Sequence, residues 1–164
     1  MTAFKWIVVV LVGVPIALLL AGQFGLLHGT APADLGVHDG KLKAPSDTPN
    51  SVSSQADRWP GHAQQAYARI APLALIRGGP DDTMARLRAV CQAIPGAEIV
   101  TNKSDYLYVR FSTRLLKFVD DTEFWFDPKA QVIQVRSASR LGRKDFGVNR
   151  ARIEAIRARL LAGN

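Results

Sequence analysis

Asp120, Asp121 and Glu123 crowd into one stretch, Phe118-Val119-Asp120-Asp121-Thr122-Glu123-Phe124-Trp125-Phe126, and Arg136, Ser137, Ser139 and Arg140 follow in the next. Carboxylates beside guanidinium groups can work as acid and base on an anionic substrate, form a polar binding surface, or pair simply to hold strands in register. The stretch alternates in polarity, so its successive side chains face opposite ways on a strand. Asp120 shares a face with Phe118, Thr122, Phe124 and Phe126, while Asp121, Glu123 and Trp125 point outward. Val132–Ser139 alternates likewise, with Ile133 and Val135 inward and Gln134, Arg136 and Arg140 on the outer face. Asp127-Pro128-Lys129-Ala130 between them is turn chemistry. In the resulting hairpin Arg136 stands opposite either Asp121 or Glu123. Opposite charges so placed contribute about 0.2–1 kcal/mol, enough to lock register.

Asp120 is the less ordinary acid, because a carboxylate on an apolar face is costly unless paired or hydrogen-bonded. Its expected partners are Ser137 and Ser139 on the neighbouring strand and an arginine from 140–152. A candidate binding surface combines Asp121, Glu123, Arg136, Arg140, Asp145, Asn149 and Arg150. The enzyme alternative is a hydrolase or transferase with Asp120 or Glu123 as acid/base and an arginine for the anionic substrate. Binding or scaffolding is favoured over catalysis, and no catalytic residue is assigned.

Other chemistries find little support. The chain has no GxSxG, HExxH, Walker or GxGxxG motif. Its single Cys91 excludes an internal disulfide and a CxxC pair, and lies on the apolar stripe of a helix as an inert thiol. Three scattered histidines do not suggest a metal site, and no cofactor is expected. The net charge is +7, and residues 136–159 hold eight basic side chains against two acidic ones. That basic segment suits a solvated face or anionic lipid headgroups. Without a recognition motif or an aromatic platform, nucleic acid is not an expected partner.

Trp6 to Leu27 carries no charge, and Gln23 is its one strongly polar residue. As a helix it rises about 33 Å, enough to cross a hydrocarbon core of about 30 Å. We therefore expect residues 6–27 to be a retained transmembrane anchor. A cleaved signal peptide ending near Ala31-Pro32-Ala33 is the rival. Lys5, the only charge before the span, places the N-terminus in the cytoplasm and the remainder in the periplasm of a bacterial cell, single-pass in the inner membrane. Another envelope protein is then a possible partner.

Residues 28–63 are rich in Gly, Pro, Ser, Thr and Asp, as in Ala44-Pro45-Ser46-Asp47-Thr48-Pro49-Asn50-Ser51, and are expected to be a tether and irregular lead-in; Ser51–Gln55 docking on the domain is the alternative. A globular unit over 64–164 follows. It should hold a short helix and an extended piece over 64–76, then a helix from Pro80-Asp81-Asp82-Thr83 to Pro95-Gly96. Strands are expected over Glu98–Asn102, Tyr106–Ser112, Phe118–Phe126 and Val132–Ser139, before a last helix over Asn149–Leu161. That order predicts an α+β fold, with an antiparallel sheet of about four strands and helices packed on one face.

Over residues 35–161 the chain resembles the DUF1499 family of uncharacterised bacterial and plastid proteins. The resemblance is carried by Leu35-Gly36-Val37-His38-Asp39-Gly40-Lys41-Leu42, Pro49-Asn50-Ser51-Val52-Ser53-Ser54, Phe118–Phe124, Arg136-Ser137-Ala138-Ser139-Arg140 and Asp145-Phe146-Gly147-Val148-Asn149-Arg150. It implies no activity, since none is established for the family. Relatives usually carry a cysteine directly after the Pro-Asn and another a few residues before it. Here Ser51 stands in the first place and Pro45 or Ser46 in the second, so a thiol role for that loop is absent.

Overall fold

The computed structural model describes residues 6–162. Lys5, used above for orientation, and Gly163 and Asn164 at the end of the expected domain lie outside the described residues. Trp6–Gln23 forms one helix, α1, long and apolar enough to cross a membrane by length and composition.

The folded body contains β1 (Ser51–Ser53), α2 (Gln65–Ala68), β2 (Leu73–Ala74), α3 (Gly79–Gln92), β3 (Ala97–Asn102), β4 (Tyr106–Ser112), β5 (Val119–Asp127), β6 (Val132–Ser139) and α4 (Val148–Leu161). The fold is α+β, as expected, but the antiparallel sheet has six strands rather than about four. Its order is β1-β6-β5-β4-β3, and β2 also pairs with β6. The two additional strands are three and two residues long, too short to show a period of their own. They form because β6 offers a free edge of backbone donors and acceptors that must be satisfied.

α3 starts where the sequence signals it, with Pro80 at its first turn and Asp81 and Asp82 beside the positive end of its dipole. Its Met84, Leu87 and Cys91 pack with Ile153, Ile156 and Leu160 of α4. Together they cover Leu107, Val109 and Phe111 of β4, Phe124 of β5 and Ile133 and Val135 of β6. Burial pushes the Cys91 thiol up to about 12, so it is a packing residue.

The opposite face of the sheet is also covered. The stretch read as a tether is irregular, but much of it packs on the sheet. Leu42 is fully buried against Tyr106 and Trp125, with Val37 and Tyr108 beside them. Ser51–Ser53 pairs with Arg136–Ala138, so the docking alternative for this stretch describes the observed arrangement. Residues 34–44 act as a strap. They turn the outward face of β5 and β6 into a second interior.

Candidate functional site

β5 and β6 pair in the register Asp120↔Ser139, Asp121↔Ala138, Thr122↔Ser137 and Glu123↔Arg136. Of the two partners considered for Arg136, Glu123 is therefore the one opposite. Alternation then sends the acids to two separate clusters, one on each face of the sheet.

On the helix side, Asp120 receives a 2.5 Å hydrogen bond from Nη2 of Arg152. The Arg152 guanidinium stacks over the Phe111 ring at 4.7 Å and donates to Asn149 Oδ1 at 2.9 Å. The Ser137 hydroxyl donates to that same oxygen at 2.6 Å and lies 2.7 Å from the Thr122 hydroxyl. Fully buried, the Asn149 amide donates to Asn50 O, Ser139 Oγ and Asp145 Oδ2 at 3.0–3.1 Å. Asp145 also accepts from the Tyr67 hydroxyl at 2.5 Å and from the N–H groups of Gly147 and Asn149, each at 3.1 Å. Burial by itself would raise its pKa, but these donors prevail and hold the carboxyl below the usual range.

On the strap side, Arg140 holds Asp121 through Nε at 2.8 Å and Nη2 at 2.7 Å, and the Tyr108 hydroxyl donates to the same carboxylate at 2.5 Å. Burial and the adjacent carboxylate push the Tyr108 phenol up to about 12. Glu123 accepts from the Gly36 N–H at 2.7 Å and the Tyr106 hydroxyl at 2.8 Å. Arg136 donates through Nε to Ala44 O at 3.1 Å. Glu123 Oε2 and Arg136 Nη1 lie 3.7 Å apart, and neither atom has a hydrogen bond. Burial raises the Glu123 pKa against the pull of Gly36, Arg136 and Tyr106, and lowers that of Arg136.

The candidate surface is thus divided. Asp121, Glu123, Arg136 and Arg140 lie under the strap, whereas Asp145 and Asn149 belong to the helix-side network. Arg150 joins neither cluster and donates to Tyr67 O at 2.6 Å and Arg69 O at 2.9 Å. Asp121, Glu123 and Arg136, expected to face outward, are almost fully enclosed because residues 34–44 close over them. Ser137 and Ser139, expected as partners of Asp120, turn their hydroxyls to Asn149 instead, and the arginine sought within 140–152 is Arg152. The sequence did not single out Arg152, Tyr67, Asn50, Tyr106 or Tyr108. Arg152 was legible in part, since it follows Asn149 by three residues on a helix.

Chemically, Asp120, Asp121 and Glu123 of β5 each lie beside an arginine, whereas Asp127 is held by Gln134 and the turn amides of Lys129 and Ala130. Asp120 and Asp121 accept hydrogen bonds directly from their guanidinium partners, which makes them weak bases; Glu123 does not, and burial favours its protonated form. Among the described residues no group of three His, Cys, Asp or Glu side chains is placed to hold a metal ion. Asp120 lines a surface groove of ≈ 270 Å³ shared with Thr113, Phe118, Leu141, Phe146 and Val148.

No curated protein and no solved structure matches the chain. The model of a family described as "Protein of unknown function (DUF1499)" matches residues 41–160, from the strap through α4, and the chain belongs to that family.

Proposed function

We propose that the protein is a single-pass inner-membrane protein whose α1 remains in the bilayer and whose folded body serves as a periplasmic binding or scaffolding module. The observation that carries this reading is the seat of α1 on the domain. Gly22 is the one buried residue in Val14–Gln23, and a Cβ there would lie 2.6 Å from the carbonyl oxygen of Leu116. Gln23 Nε2 donates to Leu115 O at 3.1 Å. Further on, a Cβ at Gly29 would lie 2.7 Å from Cβ of Arg140. A segment destined for removal has no use for so close a fit, whereas a retained anchor gains a fixed orientation from it. The pairing of Asp120 with Arg152 and of Asp121 with Arg140 favours binding over catalysis, because those charges are already engaged.

The test is the chain in its own membrane. Membranes are extracted at alkaline pH and the protein's intact mass is measured, with alkaline phosphatase fused after Asn164 as a topology reporter. The expected result is an uncleaved chain in the membrane pellet with an active phosphatase. A mature chain beginning near Ala33 and released into solution overturns the anchor, and an inactive reporter overturns the orientation.

A further inference from the structure

The rim where α1 meets the body gathers several exposed apolar side chains. Phe146 is 92 % exposed, Leu115 63 % and Val148 48 %, while Leu141 and Phe118 are exposed to 40 % and 36 %. Four of these five line the ≈ 270 Å³ groove, and the fifth, Leu115, is hydrogen-bonded to the end of α1 through its carbonyl. The patch is therefore continuous with α1. Isolated apolar side chains on a surface need no explanation, but a contiguous patch marks a place where something apolar docks.

Phe146 stands out within it. Its φ is +52°, a region that side chains with a Cβ rarely enter. The backbone is held there by the buried Asp145, whose N–H donates to Pro49 O at 3.3 Å and whose carboxylate accepts from Tyr67, Gly147 and Asn149. The fold thus fixes the flanking residue firmly and leaves a phenyl ring in water.

The exposed charges around the patch are of one sign, since the two acids that line the groove, Asp120 and Asp145, are buried and held by Arg152 and Tyr67. Segment 113–118 carries Arg114 and Lys117, and segment 140–148 carries Arg140, Arg143 and Lys144. Arg140 is taken by Asp121, and the only acid in either segment, Asp145, is buried. Arg114, Arg143 and Lys144 are exposed. Aromatic and aliphatic side chains ringed by cations make the pattern of a surface that settles into an anionic lipid interface.

We infer that the rim formed by residues 113–118 and 140–148 seats in the headgroup layer of the bilayer that α1 enters, with Phe146 and Leu115 reaching the acyl boundary and Arg114, Lys117, Arg143 and Lys144 meeting anionic headgroups. This rests on the reading of α1 as a retained anchor. The domain then lies against the membrane in one orientation and presents its β5–β6 turn away from it.

The test uses the full chain reconstituted in vesicles of phosphatidylcholine and phosphatidylglycerol. A nitroxide is placed at Phe146→Cys and, in a separate chain, at Ala130→Cys on the turn at the opposite end of β5; buried Cys91 stays unlabelled. The label at 146 is expected to be relaxed more by oxygen than by a water-soluble nickel chelate, and the label at 130 the reverse. Adding Arg143→Glu and Lys144→Glu, or omitting phosphatidylglycerol, is expected to return the label at 146 toward water. The ratio of inserted to water-exposed label should fall roughly fivefold per cation lost. Equal nickel access at both labels, in chains that float with the vesicles, overturns the inference and leaves the anchor standing. A label at 146 reached by neither relaxant shows protein covering the rim and also overturns it. Insertion indifferent to charge overturns the headgroup contact. Chains that do not float with the vesicles overturn the anchor and the inference with it.

Discussion

Arg140 holds Asp121 from a diagonal position. The register partner of Asp121 on β6 is Ala138, and the guanidinium two residues further along reaches back to the carboxylate with two hydrogen bonds of 2.7 and 2.8 Å. The side chains are 5 % and 1 % exposed, so this is an interior ion pair near the surface rather than a surface one. The fork geometry compensates for the loss of water by satisfying both carboxylate oxygens.

Removing one partner should therefore cost far more than a surface bridge does. Arg140→Met leaves a buried carboxylate facing only the Tyr108 hydroxyl, and we expect a loss of about 3–5 kcal/mol. Chemical denaturation of the detergent-solubilised chain measures it. Asp121→Asn combined with Arg140→Met should cost clearly less than the sum of the single changes, and additive losses would contradict the pairing.

Reversing the Glu123–Arg136 pair should not restore what the single reversals destroy. At a solvated cross-strand pair, Glu123→Arg together with Arg136→Glu would recover most of the lost stability. Here the Gly36 N–H and Tyr106 hydroxyl donate to position 123, and the Ala44 carbonyl accepts at position 136. The swapped charges meet donors and acceptors of the wrong kind. The double variant should remain at least about 3 kcal/mol below the parent by thermal or denaturant unfolding. Full recovery would mean that the strap imposes no direction on the pair.

Glu123 and Asp145 should pull the pH dependence of stability in opposite directions. Burial raises Glu123, so its contribution is complete below the ordinary glutamate pKa and is lost as pH climbs through the raised value. Asp145 is depressed, so its contribution is present above the ordinary aspartate pKa and is lost as pH falls through the lowered one. Asp145→Asn should cost about 1.5–3 kcal/mol near neutrality, and its gap from the parent should close in acid. The deficit of Glu123→Gln should instead widen in acid. Denaturation midpoints across the acid range distinguish the two slopes.

Enlarging Gly22 should loosen the loop it touches. In Gly22→Leu the new side chain meets the Leu116 backbone, which must retreat at a cost of about 1–3 kcal/mol. The expected signature is faster tryptic cleavage at Arg114 and Lys117, while the mass and membrane retention of the chain stay unchanged. Cleavage as slow as in the parent would show that the contact is not held in the membrane.

The period-two strands were legible because each shows a greasy face to one core. Tyr106–Ser112 and Val132–Ser139 fall where the alternation puts them, and Val119–Asp127 lies one residue on from the expected bounds. The parity that aims Asp120 at the helices and Asp121 and Glu123 away from them was legible for the same reason. Ser51–Ser53 gave no such signal, since its pairing with β6 rests on backbone groups that every residue carries. The burial of Asp121, Glu123 and Arg136 was equally hidden, because the residues that enclose them lie far earlier in an irregular stretch, Gly36 87 positions before Glu123 and Ala44 92 before Arg136.

Composition and local pattern by themselves determined an apolar first helix, an α+β body, the two faces of β5 and β6, and the family resemblance. The helix follows from an unbroken apolar run and the body from hydrophobic periodicity, which each segment carries within itself, while the resemblance rests on its quoted motifs. Only the tertiary structure decided that the charged faces are interiors, that Arg152 rather than another arginine answers Asp120, and that the end of α1 rests on the 113–118 loop. Those outcomes depend on which distant backbone closes over a charge. A buried charge takes whichever partner the closed fold brings within hydrogen-bond reach.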